Sequence, residues 1–322
     1  MAILITGGAG FIGSHLADCF MEQGEDVRVF DNLSAGTKSN IEKWVGDPRF
    51  DFVKGDQLEY SEIKAALDGC HMVYHLAANP EVRSWLARPE DHFNQNILGT
   101  YNLLKAIREQ GAVDLLVFTS TSTVYGEASV IPTPETYAPL MPISNYGASK
   151  LAAEALICSY SSLYGFRSVI YRMANVVGPR SGHGVIYDFV EKLKRNPNEL
   201  EVLGDGTQSK SYLFVDDCIT GMILGAAHSE ATVEILNIGS EDRVSVLEIA
   251  RIVIEEMGLK DVEIKLTGGL DGGRGWKGDV KLMQLEMSRL RALGWRPRFG
   301  SVEAVRFTAR SLTGKKIENH LS

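Results

Sequence analysis

A cluster of glycines near the start of the chain constrains the fold more than any other feature of the sequence. An apolar run at residues 2–5 is followed by a threonine and then by Gly-Gly-Ala-Gly-Phe-Ile-Gly at residues 7–13. A helical pattern of apolar residues continues from there to Gly24. A strand, a glycine turn and a helix in this order predict a site where a dinucleotide pyrophosphate lies on the N-terminus of the helix.

Two glycine patterns fit this turn. One is G-x-G-x-x-G from Gly8, and the other is T-G-x-x-G-x-x-G from Thr6. In both patterns glycine lets the backbone approach a phosphate closely, and a plain glycine turn without a ligand is the alternative. The residues predicted to contact the dinucleotide here are Gly7, Gly10, Phe11, Ile12 and Gly13.

An acidic residue follows the second predicted strand. This strand, residues 26–30, ends at Asp31, which comes 18 residues after Gly13. A carboxylate at this point can accept both ribose hydroxyls and repels a 2′-phosphate, so NAD is predicted as the cofactor rather than NADP. The alternative is that Asp31 caps a local turn over residues 31–34. Asn32 is included in the predicted cofactor site.

Strands alternate with helices over the first half of the chain. Further strands are predicted at residues 50–56, 72–78 and 113–118, with a long helix at 89–110 before the last of them. This alternation predicts an α/β fold with a doubly wound parallel sheet of the Rossmann type and right-handed crossovers. The loops after the third and fourth strands are predicted to reach the dinucleotide through Asp56, Gln57, Leu76, Ala77 and Ala78.

Length and the change of rhythm predict two domains. With 322 residues the chain exceeds the usual size of one domain. The regular alternation ends after a strand at residues 167–173. We therefore predict an NAD-binding domain at 1–174, onto which 211–242 packs back, and a smaller mixed α/β substrate domain at 175–322.

Composition limits the partners. A net charge of -8 argues against nucleic acid, and no apolar stretch approaches the length of a membrane span. The chain opens directly into a strand without a leader pattern, which predicts a cytoplasmic protein. The four cysteines form no C-x-x-C pair, so free, buried thiols are expected and no metal site.

Tyr146 and Lys150 are the candidate catalytic pair. They stand four residues apart just before the helix-forming run 151–156, so on a helix they lie on one face, one turn apart. Free tyrosine titrates near 10, so a base at neutral pH needs the anion stabilised by about 4 kcal/mol. A lysine ammonium and a nicotinamide positive charge supply this together. An accidental pair on an ordinary helix is the alternative.

Hydroxyl side chains follow the fifth strand. Residues 119–126 read Thr-Ser-Thr-Ser-Thr-Val-Tyr-Gly. Because ligands of open α/β sheets bind at the carboxyl ends of strands, these hydroxyls are predicted to enter the crevice that holds the cofactor, where they can bridge a substrate hydroxyl and Tyr146. Ordinary turn chemistry is the alternative. His75, at the end of the fourth strand, is interpreted as a structural histidine.

Several motifs in order resemble the extended short-chain dehydrogenase/reductase family, and within it the UDP-glucose (UDP-galactose) 4-epimerases and their relatives. The similarity covers almost the whole chain. The motifs that carry it are 6–13, 31–33, 123–126, Tyr146 with Lys150, 172–180 and 293–295.

The resemblance implies a role for each residue of the catalytic group. Tyr146 would be the base, and Lys150 would lower its pKa and hold the nicotinamide ribose. Thr121 would share the proton of the sugar O4, with Ser122 as the substitute. Asn96 would support the site from its helix and is counted among the cofactor-binding residues. In such epimerases C4 gives its hydride to NAD, the 4-keto sugar turns over, and the hydride returns to the other face.

The chain departs from the family pattern on the substrate side. Asn175 matches the asparagine near the substrate diphosphate, but Lys210 stands where the family usually has arginine. A point charge then replaces a bidentate clamp on a phosphate.

A second departure lies further along the chain. Trp276 occupies the position of an expected arginine three residues before Asp279, and the resemblance then carries that role to Arg274. Four residues after Asp279 stands Met283, at a position that separates plain hexoses from N-acetylated ones in some epimerases. Methionine is flexible and intermediate in size, so acceptance of an acetamido sugar stays open.

Related reactions need acids that this chain lacks after Thr121. Dehydratases of this type carry an Asp-Glu pair there, and decarboxylases a glutamate two residues on, whereas this chain has Ser122 and Thr123. The prediction is therefore epimerisation of a UDP-hexose with bound NAD. Another nucleotide-sugar dehydrogenase of this type, including a reductase, and a non-catalytic NAD-sensing protein are the alternatives. The family also implies a homodimer built with the helix after Lys150.

Overall fold

The protein is described by a computed structural model over residues 1–83 and 88–315, so the last residues of the predicted second domain lie outside the described residues. The strands are β1 (Ala2–Thr6), β2 (Val27–Asp31), β3 (Phe50–Lys54), β4 (Cys70–His75), β5 (Leu115–Thr121), β6 (Arg167–Met173), β7 (Asn175–Val177), β8 (Glu199–Val202), β9 (Ser209–Lys210), β10 (Tyr212–Phe214), β11 (Val233–Ile238), β12 (Val244–Ser245), β13 (Glu263–Leu266) and β14 (Leu282–Met283).

The α-helices surround these strands. They are α1 (Phe11–Glu22), α2 (Tyr60–Leu67), α3 (Pro89–His92), α4 (Gly99–Gln110), α5 (Asn145–Tyr164), α6 (Val185–Arg195), α7 (Val215–His228), α8 (Val246–Glu256), α9 (Ser288–Ala292) and α10 (Ser301–Leu312).

The central sheet is parallel throughout and confirms the predicted doubly wound fold. Within the described residues its order is β11-β6-β5-β4-β1-β2-β3. The order reverses at β1, which pairs with β2 on one side and β4 on the other. The loops that leave β1 and β4 therefore diverge and open a crevice at the carboxyl ends of the strands.

The strands are apolar on both faces because helices cover both sides of the sheet. In β1, Ile3 and Ile5 belong to a core shared with α1 and α7, whereas Leu4 belongs to the core on the opposite face with α2, α4 and α5. All three side chains are buried. This continuous burial explains why the short strand reads as an uninterrupted apolar run.

A smaller layer follows β6 and has its own core. Helices α6, α8 and α10 pack on the pairs β8–β13 and β7–β10. A small sheet places β9 between β12 and β14, which sets Lys210 beside Met283 in register. β11 returns to the edge of the large sheet, next to β6.

Two local features differ from the expectations. The predicted helix at 89–110 is interrupted by a π-helical turn, Phe93–Leu98, between α3 and α4. Such turns insert an extra residue into the helix and often occur near functional sites. The described cysteines are all free, but Cys19 and Cys158 are only half-buried.

In the described part of the chain, no helix has both the length and the apolar character needed to cross a membrane.

Candidate active site

A cavity of about 850 Å³ lies at the carboxyl ends of β1, β4 and β5 and extends to β9 and β14. Most of the residues predicted to bind cofactor or substrate form its wall. These residues are Gly7, Gly10, Phe11, Ile12, Gly13, Asp31, Asn32, Asp56, Gln57, Leu76, Ala77, Ala78, Thr121, Ser122, Tyr146, Lys150, Asn175, Lys210, Asp279 and Met283.

The glycine turn uses the pattern that begins at Thr6. Gly7, Gly10 and Gly13 line the cavity, and Gly7 has a φ of +70°. A Cβ atom on Gly13 would lie 2.3 Å from the carbonyl oxygen of Gly7, so the turn can close against α1 only with glycine there. Gly8 instead faces the core, where its Cβ would meet Val29 at 2.8 Å. The first turn of α1 thus presents its free N–H groups to the cavity.

Asp31 both caps a turn and faces the cavity. Its Oδ2 accepts from the backbone N–H of Ala9 at 3.0 Å, and its Oδ1 accepts from that of Leu33 at 2.8 Å. Burial raises the pKa of this carboxyl, and the two backbone hydrogen bonds oppose the rise. Each oxygen keeps a second lone pair, so the turn-capping contacts leave room for ribose hydroxyls.

A side-chain oxygen in the cavity wall, Oε1 of Gln57, is free to accept a hydrogen bond. The Gln57 amide donates from Nε2 to the carbonyl of Gln95 at 2.7 Å. Its Oε1 is buried and has no hydrogen-bond partner among the residues that the structure describes. Nearby, Asn32 donates to the Asp56 carboxylate at 3.1 Å, which fixes the loop between β2 and β3.

His75 is a structural residue beneath the cavity. The Thr100 hydroxyl donates to the carbonyl of Asn96 at 2.7 Å, so Nε2 of His75 must donate to the Thr100 oxygen at 2.9 Å. Nδ1 then accepts from the Thr6 hydroxyl at 2.7 Å. Burial, together with the charge of Lys150, lowers the pKa of His75 to about 3, so the ring is neutral.

The start of α5 positions the catalytic pair. The Ser144 side chain caps the helix by accepting from the N–H of Gly147 at 3.1 Å. Lys150, only 3% exposed, donates to the carbonyl of Thr119 at 2.8 Å, and its Nζ lies 4.6 Å from the centre of the Phe118 ring. Tyr146 lies on the same helix and lines the cavity.

Burial opposes the charged forms of both members of this pair. It raises the pKa of Tyr146 to about 12, and the Thr121 hydroxyl is the group of the chain that opposes this. Burial also lowers the pKa of Lys150 to about 7, against the attraction of Glu154. The sequence-based expectation was that Lys150 and a nicotinamide charge together stabilise the tyrosinate, and it stays a prediction, because the chain supplies only the first of these two charges.

Asn96 lies behind the wall of the cavity and does not line it. It is 2% exposed, accepts from the N–H of Asn79 at 2.7 Å and donates to the Ser149 hydroxyl at 2.9 Å. Ser149 in turn donates to the carbonyl of Tyr146 at 2.8 Å. The structure therefore places Asn96 as a support between the loop after β4 and α5, and its predicted contact with the cofactor stays a prediction.

The substrate side of the cavity contains one tight ion pair. Nζ of Lys210 lies 2.6 Å from Oδ1 of Asp279, whose side chain is almost fully buried. Met283 is 8% exposed beside them. Asn175 donates from Nδ2 to the carbonyl of Ser211, the residue after Lys210, at 3.2 Å, which leaves its amide oxygen free to accept a hydrogen bond.

Arg274 does not line the cavity. Its Nη1 contacts Glu127 at 2.5 Å and donates to the carbonyl of Asp279 at 2.6 Å. Arg274 therefore holds in place the loop in which it lies, a glycine-rich segment at residues 268–278. Trp276 takes the position in the wall instead. Its indole Nε1 is buried without a hydrogen-bond partner among the described residues, and Nζ of Lys210 lies 5.3 Å from the ring centre.

The comparisons with known proteins agree with this geometry. The sequence model of the NAD dependent epimerase/dehydratase family matches residues 3–239. The chain belongs to this family. The match spans the glycine turn, Asp31, Tyr146 and Lys150, so the motifs identified in the sequence are those of an NAD-dependent enzyme family.

Individual relatives of the chain include enzymes of two reaction types. A putative UDP-glucose 4-epimerase of Methanocaldococcus jannaschii is 34% identical over 310 residues, which cover 94% of this chain and 96% of that protein. The UDP-glucuronic acid decarboxylase 3 of Arabidopsis thaliana is 34% identical over 307 residues, 92% of this chain and 85% of that protein. A crystal structure of a UDP-galactose 4-epimerase is 45% identical with a TM-score of 0.87, covering 98% of this chain and 99% of that one.

The described residues fit the cofactor of this NAD-dependent family. Glycine at positions 7 and 13 lets the turn pack tightly at the edge of the cavity, because a Cβ atom on Gly7 would lie 2.7 Å from the N of Ala77. Donors of the α1 N-terminus suit a pyrophosphate, the Asp31 carboxylate suits ribose hydroxyls, and the unused Oε1 of Gln57 suits an amine donor.

Some residues of the wall were not predicted from the sequence. The loop at 34–37 approaches the glycine turn so closely that a Cβ on Gly36 would lie 2.7 Å from Ala9. His183 and Arg180 also line the cavity, and Arg180 is held by Asp18 at 2.7 Å. The cluster of small residues after Asp31 could have indicated the loop at 34–37. Arg180 and His183 reach the wall through contacts between distant segments, which the sequence pattern does not reveal.

Proposed function

We propose that this protein interconverts the C4 epimers of a UDP-hexose, such as UDP-glucose and UDP-galactose, with NAD held in the cavity. One observation carries the proposal. Tyr146 and the hydroxyl residues Thr121 and Ser122 line the same cavity, and the carboxylates among the described residues of the wall are Asp31, Asp56 and Asp279. Asp279 is paired with Lys210. Asp31 and Asp56 lie at the carboxyl ends of β2 and β3, on the side of the glycine turn.

The assignments to the cofactor follow from the fit of the cavity. Asp31, Asn32, Asp56 and Gln57 would hold the adenosine half. The glycine turn would hold the pyrophosphate, with Leu76, Ala77 and Ala78 forming the opposite wall. Tyr146 and Lys150 would hold the nicotinamide ribose. We also propose that residues 1–174 with 211–242 serve the cofactor and that the rest of 175–315 serves the substrate.

In this mechanism Tyr146 takes the proton of O4, with Thr121 as the hydroxyl that bridges the two oxygens. Bound NAD would supply reversible hydride transfer at C4, to either face of the 4-keto sugar. Tyr146 then gives the proton back to O4. Lys150 supports the tyrosinate electrostatically, and burial of the pair keeps water away from the reacting atoms.

The other reactions of the family need groups that this wall lacks. Dehydration requires a proton to leave C5 and another to reach the departing C6 hydroxyl, and decarboxylation in the related enzymes uses a nearby glutamate. In the described wall, Ser122 and Thr123 follow Thr121, and both carry hydroxyls instead of carboxyls. Their chemistry supports proton sharing at O4 and favours epimerisation over the decarboxylase reaction.

The test of this function is product analysis. The protein is incubated with UDP-galactose and a catalytic amount of NAD⁺, and the sugar is followed by proton NMR. UDP-glucose should form up to equilibrium without net NADH. Accumulation of NADH or of a 4-keto-6-deoxy sugar would contradict the proposal, and so would a pentose product when UDP-glucuronate is supplied instead. UDP-N-acetylglucosamine, supplied in the same way, tests whether Met283 admits an acetamido group.

We further propose that Lys210, Asn175 and the indole N–H of Trp276 contact the substrate diphosphate, with Asp279 holding Lys210 and Met283 bounding the sugar. Arg274 would act indirectly by fixing the loop. Replacement of Trp276 by phenylalanine keeps a ring but removes the donor. The Michaelis constant for UDP-galactose should rise about tenfold, because a hydrogen bond to a charged group is lost, while kcat stays unchanged.

Trp44 provides the matched control for this substitution. Its Nε1 donates to Asp18 at 2.8 Å, away from the cavity. Trp44→Phe should therefore leave the Michaelis constant for UDP-galactose as it is. An unchanged constant in Trp276→Phe as well would mean that the indole N–H does not contact the substrate.

A homodimer is the proposed assembly. Large apolar side chains are exposed on the surface formed by the π-helical turn, α4 and α5, where Tyr101 and Tyr160 pack edge to face. Patches of this kind mark interaction sites, and the helix after Lys150 is the one that the family resemblance implies for a dimer interface. The exposed side chains of this patch are Phe93, Leu98, Tyr101, Leu163 and Tyr164.

Leu163→Glu should convert the dimer into a monomer. Leu163 is 69% exposed, so the substitution introduces a charge into the interface without disturbing the core. The mass is measured by analytical ultracentrifugation. Leu266→Glu, at another exposed leucine outside the patch, is the control and should stay dimeric. A monomeric wild type, or a dimeric Leu163→Glu, would contradict this interface.

A further inference from the structure

A buried carboxylate lies directly behind the catalytic pair. Glu154 follows Lys150 by about one helical turn on α5, and each of the two residues is 3% exposed. The Glu154 carboxylate accepts from Nη2 of Arg172 at 2.8 Å and from its Nε at 3.2 Å. It also accepts a hydrogen bond from the Ser120 hydroxyl. Sequence reasoning did not identify this group.

The partners of Glu154 belong to two neighbouring strands of the central sheet. Ser120 of β5 faces Arg172 of β6 in register. On β5, Ser120 stands between Thr119, whose carbonyl accepts from Lys150, and Thr121, which lines the cavity together with Tyr146. The Glu154 carboxylate is therefore fixed by the same strand that fixes Lys150.

The surroundings of Lys150 are poor in charge. Its Nζ lies over the Phe118 ring and has one carbonyl partner among the described residues. An ammonium in such a place loses hydration and needs a nearby anion to stay protonated. The ionisable groups that surround the pair are Tyr146 and Glu154 on α5, neutral His75 on β4, His92 on α3 and Arg172 on β6.

We propose that Glu154 is a positioning residue that keeps Lys150 in its charged form, and that Arg172 and Ser120 hold the Glu154 carboxylate in place for this task. Glu154 is the anion in this group and stands about one helical turn from Lys150 on α5, whereas Arg172 belongs to β6 and pairs with Glu154. The expected effect on turnover rests on the function proposed above, whereas the effect of Glu154 on the charge of Lys150 does not depend on that function.

The sign of the effect follows from the direction of the shift. Burial lowers the pKa of Lys150, and Glu154 opposes that change. Lysine is charged below its pKa and loses the charge as the pH rises through it. Removal of the Glu154 charge therefore lowers the pKa further, and Lys150 becomes neutral at a lower pH than in the wild type.

Glu154→Gln is the test, because it keeps the size and the hydrogen-bonding capacity of the side chain but removes the charge. Lys150 is titrated by NMR in the NAD-bound protein with ¹³Cε-labelled lysine, and Lys150→Arg assigns the signal. The midpoint should move down by about one pH unit, and the alkaline limb of the rate profile should move with it. Glu154→Asp retains the charge and should restore both toward the wild type.

Glu256→Gln is the matched control. Glu256 is a buried carboxylate paired with Arg306 at 2.6 Å and with Arg310 at 3.0 Å in the C-terminal layer. Its loss removes a comparable ion pair far from the cavity. It should lower stability but leave the Lys150 midpoint unchanged.

Arg172 without its partner would be an uncompensated buried charge, so Glu154→Gln can fail to fold. In that case the double variant Glu154→Gln/Arg172→Gln removes both charges and should still lower the midpoint. A Lys150 midpoint at the wild-type value in the folded variant overturns the proposal. The NMR titration needs no substrate, so a lowered midpoint without any turnover of UDP-galactose counts against the proposed function alone.

Discussion

Replacement of Tyr146 by phenylalanine should reduce the turnover of UDP-galactose about a thousandfold while NAD stays bound. The substitution removes the phenol oxygen, which is the group proposed to exchange the O4 proton. The ring remains and can still pack against His92, whose ring centre lies 6.1 Å away. The rate is measured by NMR of the sugar, and bound NAD by its absorbance after denaturation of the protein.

Tyr164→Phe is the control for this prediction. It is the same substitution on the same helix, at a side chain that is 46% exposed and far along α5 from the cavity. Its rate should stay within about twofold of the wild type. If Tyr146→Phe kept a tenth or more of the activity, Tyr146 would not be the base.

The structure also bears on how Tyr146 would act as the proposed base. The chain alone holds the pKa of Tyr146 near 12 because burial outweighs the opposing effect of the Thr121 hydroxyl. The proposed tyrosinate would therefore need nearby positive charge, from Lys150 and from the nicotinamide ring of bound NAD⁺. Since burial also favours neutral Lys150, the carboxylate of Glu154 becomes part of the same balance.

The sequence predicted the parts of the site that depend on local pattern. The glycine turn, the acidic end of β2 and the position of Tyr146 one turn before Lys150 are each set within a few neighbouring residues. Steric limits on glycine and the period of a helix are enough to infer them. The parallel sheet followed from alternation alone, because strands covered on both faces read as short apolar runs.

The remaining features depend on contacts between distant segments. The pairing of Glu154 with Arg172 joins α5 to β6, and the contact of Arg274 with Glu127 draws that arginine out of the cavity. Burial of Tyr146 and Lys150 likewise arises from packing of several elements, so the direction of their pKa shifts was not available from spacing. Here a resemblance of motifs indicated which residues meet, but not their protonation.

Gly13→Ala should lower the affinity for NAD by about a hundredfold or more and reduce stability by about 2 kcal/mol. Gly13 lies in the first turn of α1, where alanine would ordinarily stabilise a helix by up to about 1 kcal/mol. The sign reverses here because the added Cβ lies 2.3 Å from the carbonyl oxygen of Gly7. Both atoms are held by backbone, so relief of the clash must open the turn that cradles the pyrophosphate.

Gly182→Ala separates this clash from the general effect of adding a methyl group to the wall. Gly182 also lines the cavity, but a Cβ there has no heavy atom within 4 Å apart from its chain neighbours. The affinity of this variant for NAD, measured by calorimetry beside thermal unfolding, should match the wild type. Wild-type affinity for NAD in Gly13→Ala would contradict the prediction, because it would mean that the pyrophosphate does not depend on the closed form of this turn. Equal losses in both variants would instead point to crowding of the cavity and not to the turn.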